Sequence, residues 1–254
     1  GFSIETGESS IAIKQALDSS NLSLQGIHFH LGSPIFELEP YSTAIDTVFD
    51  YLKPFFKQGL ELKKFSPGGG FAIGYLQKQL PPSIGGYADV ITSMLKTKCD
   101  DLGIDYPELI IEPGRSIVGR AGVAIYTVGV TKVIPNVRTY VSLDGGMGDN
   151  IRPALYEAQY EAVAANKMST THFETVTLAG KYCETGDILV KDVSLPILDS
   201  GDLVAIPASG AYCIAMSSNY NMNPRPEIIM VSNGDSRIIK RRETYQDLMA
   251  LDFS

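Results

Sequence analysis

Apolar positions along the first 118 residues follow two alternating patterns. In residues 42–59 and 87–102 apolar side chains recur at helical spacing; Gly59 closes the first segment and Gly103 follows the second. Short β-rich runs lie before, between and after these segments, at QGIHFH, LKKFS and ELIIE, and a further short helix is expected from residue 9 onward. This alternation predicts parallel strands joined by crossover helices.

The pattern changes after residue 118. Short runs rich in β-branched residues replace the long helical segments, and the next helical pattern lies near the end, at residues 243–251. The sequence therefore predicts an α/β part followed by a mostly antiparallel, all-β part, with domains at residues 1–118 and 119–254. The β-rich runs lie at residues 123–133, 139–143, 175–178, 188–190 and 203–206.

Composition excludes several classes of partner. The chain has 254 residues, 44% of them hydrophobic, and a formal net charge of -8, so a globular protein is expected and a nucleic-acid partner is not. Its three cysteines have neither disulfide-framework nor zinc-ligand spacing, which indicates a reducing, cytoplasmic setting. The longest apolar stretch, residues 121–130, is about half of the ~20 residues that a membrane helix needs.

Polar loops follow the predicted strands of the α/β part, where parallel folds place their sites. SPGGGF puts glycines at residues 68–70, where bare backbone amides can approach an anion, although glycines alone also fit a tight turn. EPGRS adds the Glu112 carboxylate and the Arg115 guanidinium, and Ser33 ends a third strand. Together the three loops favour a phosphate site beside a carboxylate.

His28 and His30 lie two residues apart on a predicted strand, so they share one face and could ligate a metal. A metal-dependent barrel hydrolase is therefore a competing hypothesis. It needs further ligands, yet the remaining histidine, His172, falls in the β part. The sequence favours one structural histidine and one that contacts a planar ligand, with no metal.

Three segments of the β part contain candidate site residues. RPALY places Arg152 and Tyr156 so that they could bind a carboxylate, although Arg152 alone could be a surface residue. GAYCIAMSSNYN offers Tyr212 in a turn-prone segment that could equally be a loop between strands. KYCETGD sets Cys183 beside Glu184. These two could act as a proton donor and an ammonium ligand, or they could be a buried cysteine and a turn cap.

The motifs HFHLGS, PGGGF, EPGRS, DGG with RPALY, CETGD and GAYCIAMSSNYN, in this order, resemble the pyridoxal-phosphate decarboxylases of the alanine-racemase fold type. CETGD with RPALY is similar to the branch that acts on diaminopimelate. The resemblance implies the C-terminal part of a β/α barrel of the TIM type, which binds pyridoxal 5'-phosphate, followed by a β-sandwich or β-barrel domain. For the intact parent it implies removal of a carboxyl group from the D-centre of meso-2,6-diaminopimelate, giving L-lysine and CO2.

The resemblance also implies roles for individual residues. His30 would stack on the pyridine ring, and Glu112 would pair with the pyridine nitrogen. Cys183 would reach with its neighbour into the site of a partner subunit in a homodimer with shared active sites, where thiol chemistry makes it the candidate catalytic proton donor. The residues implied to hold the phosphate are Ser33, Gly69, Gly70 and Tyr212. Those implied to bind the amino-acid substrate are Arg115, Arg152, Tyr156 and Glu184.

Two departures from the family pattern limit the resemblance. The lysine that carries the cofactor in this family stands in a Tyr-Ala-any-Lys motif, which this sequence lacks, so the chain alone is expected to be inactive. GGMGDN has Gly148 where the family usually has a polar residue, so a different loop shape is expected. Two alternatives stay open: a decarboxylase of ornithine, arginine or lysine, and a non-catalytic relative that binds partners.

Overall fold

The computed structural model describes residues 1–253, and their packing forms two compact units. Unit 1 comprises Gly1–Ile73 and Leu80–Ser116. Unit 2 comprises Gly74–Gln79 and the chain from Ile117 onward. The short segment Gly74–Gln79 therefore packs with residues that lie far along the chain.

Unit 1 contains a parallel sheet of three short strands in the order β1-β2-β3. Ile27 of β1 is in register with Phe65 of β2, and Phe65 with Leu109 of β3. The parallel arrangement predicted from the alternating pattern is confirmed for these strands. The elements are α1 (Glu8–Asp18), β1 (Gly26–His28), α2 (Glu39–Phe56), β2 (Lys64–Ser66), α3 (Ile84–Leu102), β3 (Glu108–Leu109) and α4 (Gly114–Val118).

The ends of α3 follow directly from its sequence. At its start the Ser83 side chain accepts a hydrogen bond from the Gly86 amide, 3.0 Å away. Gly103 ends it in a left-handed conformation (φ 64°), as the sequence predicts. The apolar faces of α2 and α3 pack into one core with the sheet, where the Phe49 and Phe65 rings lie 5.3 Å apart.

Unit 2 contains a six-stranded sheet. Its strands are β4 (Ala124–Ile134), β5 (Arg138–Leu143), β6 (Val163–Ala164), β7 (Phe173–Ala179), β8 (Ile188–Pro196) and β9 (Leu203–Ile206). The order is β6-β9-β4-β5-β7-β8, and β6 also contacts β8, so the sheet is nearly closed. Of the two predicted forms, the β-sandwich is not confirmed. Pairing is antiparallel except between β5 and β7, which run parallel.

The remaining elements of unit 2 are short. Helix α5 (Arg152–Tyr156) follows β5. An antiparallel hairpin of β10 (Ile228–Ser232) and β11 (Asp235–Lys240) precedes α6 (Tyr245–Leu248) and lies outside the predicted β-rich runs. Its turn residues Asn233 and Gly234 both have positive φ. Among the described helices none is long and apolar enough to cross a bilayer.

Candidate functional site

The loops that follow β1, β2 and β3 meet at one edge of the parallel sheet, because the carboxyl ends of parallel strands lie together. Isolated parallel bridges join Gly69 to Glu112 and Ile35 to Phe71, just beyond the strands. The Gly69 amide donates a hydrogen bond to His30 Nδ1, 3.3 Å away. The structure thus brings residues from three predicted site loops together within unit 1.

Two glycines permit this close approach. A Cβ placed on Gly69 would lie 2.0 Å from the carbonyl oxygen of Glu112. Gly70 has a φ of 92°, and a Cβ there would lie 2.3 Å from the carbonyl oxygen of Gly32. The Tyr41 hydroxyl, from the core face of α2, donates a 2.7 Å hydrogen bond to the Gly69 carbonyl and ties the loop to the core. The sequence offered no signal for this role of Tyr41.

The ionisable side chains of this edge make two side-chain contacts, one between Glu112 and His28 and one between Arg115 and Ser33. Glu112 Oε1 lies 3.4 Å from His28 Nε2, and both side chains are about half exposed. Arg115 is only 7% exposed, and its Nε donates a 3.2 Å hydrogen bond to Ser33 Oγ. His28 and His30 therefore have different partners. Within residues 1–253 no group of three His, Cys, Asp or Glu side chains could hold a metal ion.

In unit 2, Arg152 lies at the start of α5 and is buried rather than on the surface. Its Nη1 donates a hydrogen bond to the Tyr160 hydroxyl, and its guanidinium carbon lies 4.9 Å from the centre of the Tyr75 ring. Burial raises the pKa of Tyr160 above its ordinary value, so this hydroxyl stays neutral. Tyr156, at the end of the same helix, is 61% exposed. No motif in the sequence indicates Tyr75 or Tyr160 as partners of Arg152.

Cys183 and Glu184 lie in an exposed loop between β7 and β8. Glu184 Oε1 accepts a hydrogen bond from the Tyr220 hydroxyl, and this bond raises the pKa of Tyr220. Cys183 is exposed, in contrast to the two other cysteines, which are buried. Tyr212 is also exposed and has a φ of 60°. Tyr220, in the SSNYN segment, was missed as a partner of Glu184.

Comparison with known proteins connects these loops to one family. Residues 1–119 match the family described as "Pyridoxal-dependent decarboxylase, pyridoxal binding domain". The diaminopimelate decarboxylase of Bacillus subtilis (strain 168) is 44% identical over 253 residues, which are 99% of this chain and 58% of that protein. The chain is similar to the pyridoxal-dependent decarboxylases along nearly all of its length.

Two further members of the family give the same result. The diaminopimelate decarboxylase of a Synechocystis species is 46% identical over 89% of this chain and 48% of that protein. The crystal structure of diaminopimelate decarboxylase from M. jannaschii in co-complex with L-lysine superposes with a TM-score of 0.93. The sequence identity is 35%, and the match covers the whole of this chain and 57% of the chain in that structure. The chain thus spans somewhat more than half of the length of most of these relatives.

The residues at the edge of the unit 1 sheet fit the cofactor that gives this decarboxylase family its name. A phosphate needs N–H and O–H donors, which the Ser33 hydroxyl, itself the acceptor of a hydrogen bond from Arg115 Nε, and the glycine-loop amides can supply. A protonated pyridine nitrogen needs a carboxylate, and Glu112 is half exposed at the same edge. The imidazole of His30 lies beside the glycine loop, to which it is hydrogen-bonded. Nothing in this set of groups conflicts with pyridoxal phosphate.

Proposed function

We propose that the protein to which this chain belongs is a pyridoxal-phosphate-dependent carboxy-lyase. It removes the carboxyl group from the D-centre of meso-2,6-diaminopimelate, giving L-lysine and CO2. The observation that carries the proposal is identity with diaminopimelate decarboxylases of 44% along 99% of this chain. The meeting of three site loops at one sheet edge supports it. A decarboxylase of ornithine, arginine or lysine would leave the joint presence of CETGD and RPALY unexplained.

The roles proposed in unit 1 concern the cofactor. When bound, pyridoxal phosphate supplies an electron sink for the bond that breaks. Glu112 would keep the ring nitrogen protonated, and His30 would pack on the ring. Ser33, Gly69 and Gly70 would hold the phosphate together with Tyr212 of unit 2. Because the glycine loop is fixed to the core, the ring would be held in one orientation.

The roles proposed in unit 2 concern the substrate. Arg152 and Tyr156, with Arg115 of unit 1, would bind the carboxylate that is retained, and Glu184 would bind the ammonium group beside it. Cys183 Sγ would give a proton to the carbon that has lost CO2, because it is an exposed free thiol and a thiol can act as a general acid. The hydrogen bond from Tyr220 holds the Glu184 carboxylate in one place for this contact.

We further propose that residues 1–118 are the C-terminal part of a β/α barrel and that residues 119–254 are the β domain. The parallel strands of unit 1 and the separate packing of unit 2 support this division. In a homodimer, Cys183 and Glu184 would complete the partner's site. A reducing, cytoplasmic location is consistent with the three cysteines, all of which are free thiols in the described chain.

The full-length protein tests the function directly. Purified with pyridoxal phosphate, it should release CO2 and lysine from meso-diaminopimelate, with kcat/KM at least about 100-fold above the values for ornithine, arginine and lysine. A difference of that size is about 2.7 kcal/mol, which is within reach of charge recognition at the far carboxylate. Glu112→Ala is the matched inactive control. Faster turnover of one of the other amino acids would contradict the proposed substrate, and no turnover of any of them would favour the non-catalytic relative.

A further inference from the structure

Two loops of unit 2 are held by one buried carboxylate, that of Asp187. The loops are residues 144–150, which lead into α5, and residues 180–187, between β7 and β8. Asp187 Oδ1 accepts a 2.6 Å hydrogen bond from the Met147 amide, and Oδ2 accepts a 2.7 Å hydrogen bond from the Tyr182 amide. Asp187 is only 3% exposed. Each carboxylate oxygen therefore holds the backbone of a different loop.

Glycines in both loops make room for this carboxylate. A Cβ on Gly180 would lie 2.2 Å from Asp187 Oδ2, and a Cβ on Gly146 would lie 2.4 Å from Oδ1. Gly148 makes room for the Tyr182 side chain in the same way, because a Cβ on Gly148 would lie 2.0 Å from the Tyr182 hydroxyl oxygen. The glycine that departs from the family pattern thus has a packing reason in this chain.

The same loops carry residues with proposed substrate contacts. The Asp187 amide donates a 3.1 Å hydrogen bond to the Glu184 carbonyl, and the Glu184 side chain is held by Tyr220. In the other loop, Asn150 Oδ1 accepts a 3.3 Å hydrogen bond from the Arg152 amide at the start of α5. A displacement of either loop would therefore move one end of the proposed substrate site relative to the other.

We propose that Asp187 is a positioning residue that fixes the loop before Arg152 against the loop of Cys183 and Glu184. The proposal rests on the proposed function for the roles of those three residues, but the loop contacts do not depend on it. Asparagine at position 187 has about the same size and keeps one acceptor. It turns an N–H donor toward one of the two backbone amides, so one loop must lose its anchor.

The test uses the full-length protein and hydrogen exchange, with Asp187→Asn as the variant. Amide exchange in residues 145–150 or 181–187 should become at least about tenfold faster, while exchange in β7 stays unchanged. KM for meso-diaminopimelate should rise about tenfold, because Arg152 and Glu184 are proposed to bind the substrate, and kcat should fall as well when the loop that moves is the one that carries Cys183. The matched control is Asp235→Asn, an exposed residue at the start of β11, which should change neither quantity.

A double-mutant cycle separates this role from general stability. Gly180→Ala should raise KM in the wild-type background but not in an Asp187→Ala background, where its Cβ meets no carboxylate. Unchanged exchange in both loops, equal acceleration throughout unit 2, or additive effects in the cycle would overturn the proposal. If the wild-type protein does not act on diaminopimelate, the proposed function fails, and the exchange data alone decide whether Asp187 holds the loops.

Discussion

Replacing Gly69 by alanine would test whether the loop edge of unit 1 depends on contact between two backbones. The new Cβ would lie 2.0 Å from the Glu112 carbonyl oxygen, whereas an ordinary contact is about 3.5 Å. One of the two loops must therefore move by roughly 1.5 Å. The Gly69 carbonyl would also be pulled away from the Tyr41 hydroxyl, which is buried in the core.

The size of the effect follows from these two losses. Overpacking costs about 1–3 kcal/mol, and a lost buried hydrogen bond adds about 1 kcal/mol. We expect Gly69→Ala to lower the free energy of unfolding by about 3 kcal/mol, and affinity for pyridoxal phosphate to fall at least about tenfold because Glu112 moves with its backbone. Gly103→Ala is the control: its Cβ meets nothing within 4 Å, and only its φ of 64° is strained, at about 1–2 kcal/mol.

The assay is urea unfolding of full-length variants at one protein concentration, combined with equilibrium titration of pyridoxal phosphate by absorbance. Gly69→Ala should lose both stability and cofactor affinity, whereas Gly103→Ala should lose some stability and keep its affinity. Equal stability losses with unchanged cofactor affinity in both variants would refute the reasoning. They would mean that the loop can relax without disturbing Glu112.

Three further predictions concern the full-length protein. Inactive Glu112→Ala and Cys183→Ala variants should recover partial activity when their subunits exchange, and proven exchange without recovery would exclude shared sites. Glu184→Ala should lower kcat/KM for diaminopimelate by a factor that corresponds to a loss of about 2–5 kcal/mol of binding free energy. Cys183→Ala should instead lower kcat with little change in KM. If both variants keep the wild-type kcat and KM at matched melting temperatures, the pair has a structural role only. Burial raises the pKa of Tyr182 to about 12. Stability should therefore fall as pH rises from 10 toward 12, and a Tyr182→Phe variant that shows the same fall in urea unfolding would contradict this.

Local patterns predicted most of the elements because they depend on neighbours in sequence. The helix that ends at Gly103 and the strand Leu203–Ile206 lie where periodicity and end signals place them. The hairpin of β10 and β11 was predictable too, because Asn233 and Gly234 stand between two apolar runs, which is a strong hairpin signal. Which strands pair with each other was harder to predict from the sequence. The parallel pair of β5 and β7 joins segments that no local signal connects.

The glycine motifs show why the candidate site was only partly predictable. A glycine in a sequence indicates that a side chain is missing at that position, but not which atoms occupy the space. From PGGGF we expected amides facing an anion, and the structure adds a second reason, because Gly69 lies against the backbone of Glu112. From GGMGDN we expected only a loop shape different from that of the family, and the structure shows Gly146 against the buried carboxylate of Asp187, which is distant in sequence. Arg152 follows the same logic. Its residue type suggested a carboxylate ligand, but its aromatic partners come from segments that carry no motif.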